Sequence, residues 1–185
     1  MKSPLKKIFV SAFLTCSALV SMVYMSCNND KCKTIVCAYG GVCNQGSCIC
    51  PTGYEGTNCE TISSDKFLGT WQVLEKGSTT NAAQYVVSIN QGTPINTVTI
   101  TNFYNFFLTP IKAFVNHDTI TIPNQQIQGK VIVGSGYIYS NTTSVTYVQY
   151  GNISLKYEVI DTATGRIDDF GYTPVDLSAP SAWNK

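Results

Sequence analysis

All eight cysteines of this 185-residue chain lie before residue 60. Six of them (Cys32, Cys37, Cys43, Cys48, Cys50 and Cys59) fall within a stretch of 28 residues. A stretch this short cannot bury enough apolar surface to fold on a hydrophobic core alone, so cross-links must replace the core. Metal is the poorer cross-link. One residue separates Cys48 from Cys50, tighter than the usual two-residue spacing of a zinc knuckle, and the sole histidine, His117, is distant in sequence. Disulfides are expected instead, in an oxidising compartment. Six cysteines allow 15 pairings, and spacing alone selects none.

The other two cysteines concern export. Lys2, Lys6 and Lys7 precede an uncharged apolar run from Ile8 to Met25, followed by Ser26-Cys27 and the polar Asn28-Asn29-Asp30-Lys31. A basic start, an apolar core and a small residue before the cut make a secretory signal. At 18 residues the run is also just long enough to span a bilayer as an uncleaved helix. Cys16 departs with a cleaved leader, whereas Cys27 is left without a partner, and an odd cysteine in an exported protein needs a use. The segment resembles a bacterial lipoprotein signal peptide, whose cleavage box ends in a small residue and Cys; Tyr24 stands where that family prefers Leu. The resemblance implies a lipid anchor on Cys27, with two or three acyl chains that hold the membrane more firmly than one could. In such proteins Asn28, in place of Asp, favours the outer membrane. The acidic surface-export tag of Bacteroidetes lipoproteins is reduced to Asp30, so the anchored chain is expected in the cell envelope, periplasmic or surface-exposed.

Within the cysteine cluster, Gly40-Gly41 precede Cys43, and Cys50 opens Cys-Pro-Thr-Gly-Tyr-Glu-Gly-Thr-Asn-Cys, ending at Cys59. Residues 32–59 resemble an epidermal-growth-factor-like module, matching each family cysteine together with Gly53, Tyr54 and Gly56. The resemblance implies the pairing Cys32–Cys43, Cys37–Cys48 and Cys50–Cys59. The glycines suit tight turns that need positive φ. Calcium-binding members carry acidic residues ahead of the first cysteine and a longer gap between the third and fourth. This chain has neither, so no metal and no other cofactor is expected. The module then serves as a rigid stalk or as a protein-contact surface.

Composition changes after Glu60. Residues 61–65 form a short polar joint, and residues 66–185 hold no cysteine and repeated stretches of alternating β-branched and aromatic residues. Eight strands are predicted, at 69–76, 84–90, 96–102, 111–116, 118–123, 127–139, 143–150 and 153–160. Turn residues separate them: Asn90-Gln91-Gly92, Asn116-His117-Asp118, Ser140-Asn141 and Gly151-Asn152. Ile153, Leu155, Tyr157 and Val159 alternate with Ser154, Lys156 and Glu158, as in a half-buried antiparallel strand. Val98 with Ile100, and Ile120 with Ile122, do the same among threonines. Gly134 and Gly136 mark a bulge or sharp bend. No stretch has a sustained helical period, so the chain is expected to be all-β and antiparallel. Gly69-Thr70-Trp71 at the first strand, ahead of this up-and-down pattern, resembles the start of a lipocalin-like barrel, in which the Trp plugs one end. An Ig-like sandwich is the alternative.

The residues favour binding over catalysis. His117 sits in a turn, no Gly-x-Ser-x-Gly is present, and the adjacent carboxylates Asp168-Asp169 are expected in a solvated loop between Gly165 and Gly171. No phosphate loop occurs. Without the leader's lysines the chain keeps 9 Lys and Arg against 11 Asp and Glu, a net of −2, and no basic stripe suits nucleic acid. A narrow barrel holds packed side chains or one small ligand. Tyr85, Tyr137, Tyr139, Tyr147 and Tyr157 are the candidates to line a site for a small apolar or glycan-like ligand. The apolar stretch Phe103 to Leu108 is expected in the core, with the barrel mouth or the membrane as alternatives. The second functional reading is a structural or adhesion module that meets a protein partner at the cell surface. Asp118-Thr119-Ile120 and Asp161-Thr162-Ala163 match the tripeptide that Bacteroidetes O-glycosylate, which makes Thr119 and Thr162 candidate modification sites.

Overall fold

The clustered cysteines form three bridges, Cys32–Cys43, Cys37–Cys48 and Cys50–Cys59, which are the pairs the resemblance implies. They staple two minimal hairpins, β1 (Val42–Asn44) with β2 (Ser47–Ile49), and β3 (Tyr54–Glu55) with β4 (Thr61–Ile62). Gly41 lies so close to the bridges that a Cβ there would meet Cys59 Sγ at 2.9 Å and Cys37 Cβ at 3.0 Å. The structure is a computed structural model and describes residues 31–140, 151–174 and 178–185.

After the module come β5 (Gly69–Glu75), β6 (Ala83–Gln91), β7 (Thr97–Thr101), β8 (Ile111–Asn116), β9 (Thr119–Ile127), β10 (Lys130–Tyr139), β11 (Asn152–Asp161), β12 (Ile167–Phe170) and β13 (Ser181–Asn184). From β5 to β11 each strand pairs antiparallel with the next. β13 then joins the far edge of β11 to β5 and closes the sheet. β12 pairs with the other half of that edge of β11. The result is a closed eight-stranded antiparallel barrel, not a sandwich: both edges that a sandwich would leave open are paired.

Two predicted boundaries change. The hairpin expected near 124–126 falls at Gln128-Gly129, where both residues have positive φ (49° and 74°), as a tight two-residue turn requires. The last strand of the ring is the C-terminal segment Ser181–Asn184. The strand expected at 143–150 lies outside the described residues, and the strands on either side of it pair directly, Tyr139 with Asn152 through Lys130 with Asp161.

Alternation places the predicted apolar faces inside. Val98, Ile100, Ile120, Ile122, Ile153, Leu155, Tyr157 and Val159 are all buried. The interior is packed with large side chains: Trp71, Trp183, Tyr157, Phe67, Phe103, Phe107 and Phe170 are each less than 2 % exposed. Space for these comes from the glycines of β10. A Cβ on Gly134 would lie 2.5 Å from Tyr157 Cβ, and one on Gly136 would lie 2.5 Å from Ser154 O. The register of β10 on β9 shifts between Ile132 and Gly134, the irregularity those glycines predict.

The barrel has unlike ends. The proximal end carries the disulfide module. There Gly53 packs on the β6–β7 loop, where a Cβ would meet Ile95 at 2.6 Å, and Lys66 bridges Glu55 of the module to Asp118 of the β8–β9 turn at 2.7 and 2.5 Å. The polar joint is part of this contact, with Ser63 and Ser64 buried and Ser64 bonded to Gln91 and Ile95. Trp71 closes the proximal end: its indole N–H donates to Phe67 O at 2.7 Å, and Lys185 lies over the ring at 4.8 Å.

Candidate functional site

The distal end is built from the β5–β6 loop, the β7–β8 loop, the Gln128-Gly129 turn and the β11–β12 loop. The β7–β8 loop folds over the mouth as a short 3-10 turn, Phe103–Asn105. Phe103 and Phe107 drop into the barrel, with Phe103 against Tyr157 at 4.8 Å and Trp183 at 6.1 Å. Phe106 and Leu108 stay outside, 46 % and 91 % exposed. The apolar stretch is thus half core and half rim.

Two carboxylates organise the mouth. Glu75, at the end of β5, accepts hydrogen bonds from Tyr85 Oη at 2.5 Å, Ser181 Oγ at 2.6 Å and Tyr157 Oη at 2.8 Å. Trp183 Nε1 donates in turn to Ser181 Oγ at 2.8 Å. Burial pushes the Glu75 carboxyl up, and the three hydroxyls only partly offset this. Burial, with Glu75 beside them, likewise holds both phenols above their usual value. Asp168, on β12, accepts from Thr79 N, Thr79 Oγ1, Thr80 Oγ1 and Tyr104 Oη at 2.7 to 3.0 Å. Burial works against its charge, yet these donors outweigh burial and hold the carboxyl below its usual value. Gly77 makes the approach feasible, since a Cβ there would sit 2.2 Å from Asp168 Oδ1.

Asp169 is also internal. It accepts from the amides of Gly171, Tyr172 and Thr173 and from Thr173 Oγ1. The expectation of a solvated Asp168-Asp169 loop is therefore corrected: both residues lie in a strand and are 4 % and 1 % exposed. Their partners, amides and hydroxyls from three separate loops, have no sequence pattern that would have announced them.

Beside Asp168 opens a cleft of about 300 Å³ lined by Thr79, Thr80, Tyr104, Lys130, Asp161 and Arg166, with Val159 at its floor. Lys130 Nζ pairs with Asp161 at 3.0 Å, and Arg166 donates to Thr79 O at 2.7 Å. The hydrogen bond from Lys130 and those from Thr164 lower Asp161 to about 2. A second hollow, about 270 Å³, holds Glu75, Asn81, Tyr85, Asn105 and Phe106. Thr80 and Tyr104 line both. The mouth thus combines hydroxyls, two cations and three carboxylates with apolar area from Tyr85, Tyr104, Phe106 and Val159.

Of the predicted lining residues, Tyr85 and Tyr157 meet at this mouth, but as buried supports of Glu75. Tyr137 and Tyr139 do not line the interior. On β10 the inward positions belong to Gly134, Gly136 and Ile138, so period-two alternation turns both tyrosines outward, 53 % and 39 % exposed. Tyr147 and Cys27, the residue expected to carry the anchor, lie outside the described residues. Thr119 and Thr162 are both exposed, and Thr162 Oγ1 donates to Gly129 O at 2.7 Å. His117 is exposed in its turn and bonded to Asn116. Sequence reasoning missed Glu75, Lys130 and Arg166; single charged residues at strand ends look like ordinary solvated termini. No protein-family model matches the chain.

Proposed function

We propose that this chain is a cell-envelope lipoprotein, anchored through Cys27, whose barrel binds a small polar, glycan-like ligand at its distal mouth without catalysis. The observation that carries the reading is the lining of the 300 Å³ cleft: threonine hydroxyls, two cations and two carboxylates around the ring of Tyr104. A saccharide offers hydroxyls for such groups and an apolar ring face for the tyrosine. An apolar ligand would strip water from the same groups and return nothing. The packed interior supports a site at the mouth over one in the lumen. The bridge pairing and turn glycines support an epidermal-growth-factor-like stalk, and the Gly69-Thr70-Trp71 start with the closed ring supports a lipocalin-like barrel. The stalk holds the end opposite the cleft, so an anchor at Cys27 leaves the mouth facing away from the membrane.

Native mass spectrometry of the full chain, extracted from its own envelope in mild detergent, tests the reading. The expected result is a saccharide-sized mass that leaves on denaturation, above an acyl mass that stays with Cys27. A chain that carries no removable mass, and takes up none from a soluble glycan pool, counts against ligand carriage. It would favour the second reading, an adhesion module that meets a protein through its outer surface.

A further inference from the structure

The disulfide module exposes apolar side chains that nothing among the described residues covers. Val42 and Ile49 face each other directly across the β1–β2 hairpin and are 65 % and 58 % exposed. Val36 and Tyr39, from the preceding loop, are 82 % and 59 % exposed, with Tyr39 stacked on Tyr54 at 4.4 Å. Single exposed apolar residues are ordinary on a protein surface. A directly opposed, exposed pair on a hairpin this small marks a contact surface.

Where the chain enters the module decides what that contact is. The Cys32–Cys43 bridge ties the entering chain to β1. Lys31 packs at the tip of the same hairpin, where a Cβ on Gly46 would meet Lys31 Cβ at 3.4 Å. Four Cα steps separate Lys31 from Cys27, a reach of at most about 14 Å. A headgroup layer is itself roughly 5–8 Å deep. A lipid on Cys27 therefore holds this hairpin at the bilayer surface. Lys31 at the hairpin tip and Lys33 two residues on are both exposed and suit the phosphates there.

We infer that the β1–β2 hairpin face bearing Val42 and Ile49 rests in the interfacial layer of the membrane and orients the barrel with its distal mouth outward. This rests on the reading of Cys27 as the lipid anchor. The module is then a foot as well as a spacer.

The test uses the full, processed chain reconstituted in phosphatidylethanolamine–phosphatidylglycerol vesicles containing brominated acyl chains, which quench tryptophan only at short range. Val42→Trp and Ile49→Trp each place an indole on the hairpin. Phe114→Trp places one on the outer wall of the barrel, where Phe114 is 38 % exposed. Intact mass reports acylation of Cys27 and retention of the three bridges. The expected result is at least twofold quenching of the added signal in both hairpin variants and none in Phe114→Trp. Hairpin indoles quenched no more than the wall indole, on a chain whose Cys27 is acylated, would overturn the inference and leave the anchor standing. A blue-shifted but unquenched hairpin signal with a doubled particle mass would overturn it in favour of a second copy of the chain. An unmodified Cys27 with unquenched indoles would overturn both readings.

Discussion

Two carboxyl groups of the distal mouth take opposite electrostatic positions. Asp168 is held ionised against its burial by four donors. A carboxyl lowered on folding adds stability above its unfolded pKa and loses it as pH falls through the folded value. Asp168→Asn should therefore destabilise the chain at neutral pH by about 2–3 kcal/mol, as expected for lost hydrogen bonds to a charged acceptor. The gap to the parent should shrink as acid protonates Asp168 in the parent, which denaturant midpoints from pH 7 to pH 3 would trace. Glu75 has the reverse sign. Its raised pKa means that the folded chain holds the proton more tightly, so stability falls as pH rises from the ordinary glutamate value through the folded one. Glu75→Gln should remove that descent and flatten the same pH series. An unchanged slope would mean that Glu75 is solvated and does not titrate against folding. Neither role was legible in sequence, because two distant loops bring the hydroxyls of Thr79, Thr80 and Tyr104 to Asp168, and three strands bring those of Tyr85, Tyr157 and Ser181 to Glu75.

Elements were far more legible. Period two marks each inward face correctly wherever a strand carries β-branched residues at alternate positions, as in β7, β9 and β11. It fails where glycine takes the inward slots. On β10 the bulky residues at odd positions look like the buried face, yet Gly134 and Gly136 face inward because Tyr157 and the β11 backbone occupy the space. Gly134→Ala should therefore cost about 1–3 kcal/mol by overpacking, although a strand residue normally gains from the extra methyl. Thermal and denaturant unfolding would measure it. The closing strand was missed for another reason: four residues, Ser181–Asn184, are too few to show a period. Their weight comes from Trp183, packed at the barrel centre and paired through β13 to both β5 and β11. Trp183→Ala should cost about 3–5 kcal/mol, as expected for a fully buried aromatic. A loss below 1 kcal/mol would show that the ring closes without it.

At the scale of the whole molecule, the cysteines announced the small module and the up-and-down pattern announced the barrel, but not how the two meet. The joint at 61–65 reads as a polar linker, yet its serines are buried and Lys66 ties Glu55 to Asp118 across the contact. This junction gives the barrel one end that carries the module, and the cleft lies at the opposite end. Binding of a glycan-like ligand there is tested most directly on a glycan array, with the parent chain, Lys130→Ala and Arg166→Ala. Both side chains line the cleft and sit outside the core. The expected result is retention of one glycan class by the parent, weakened at least tenfold in both variants, with unfolding midpoints little changed. Absence of any retained glycan, or equal retention by parent and variants, would contradict a ligand site at the distal mouth.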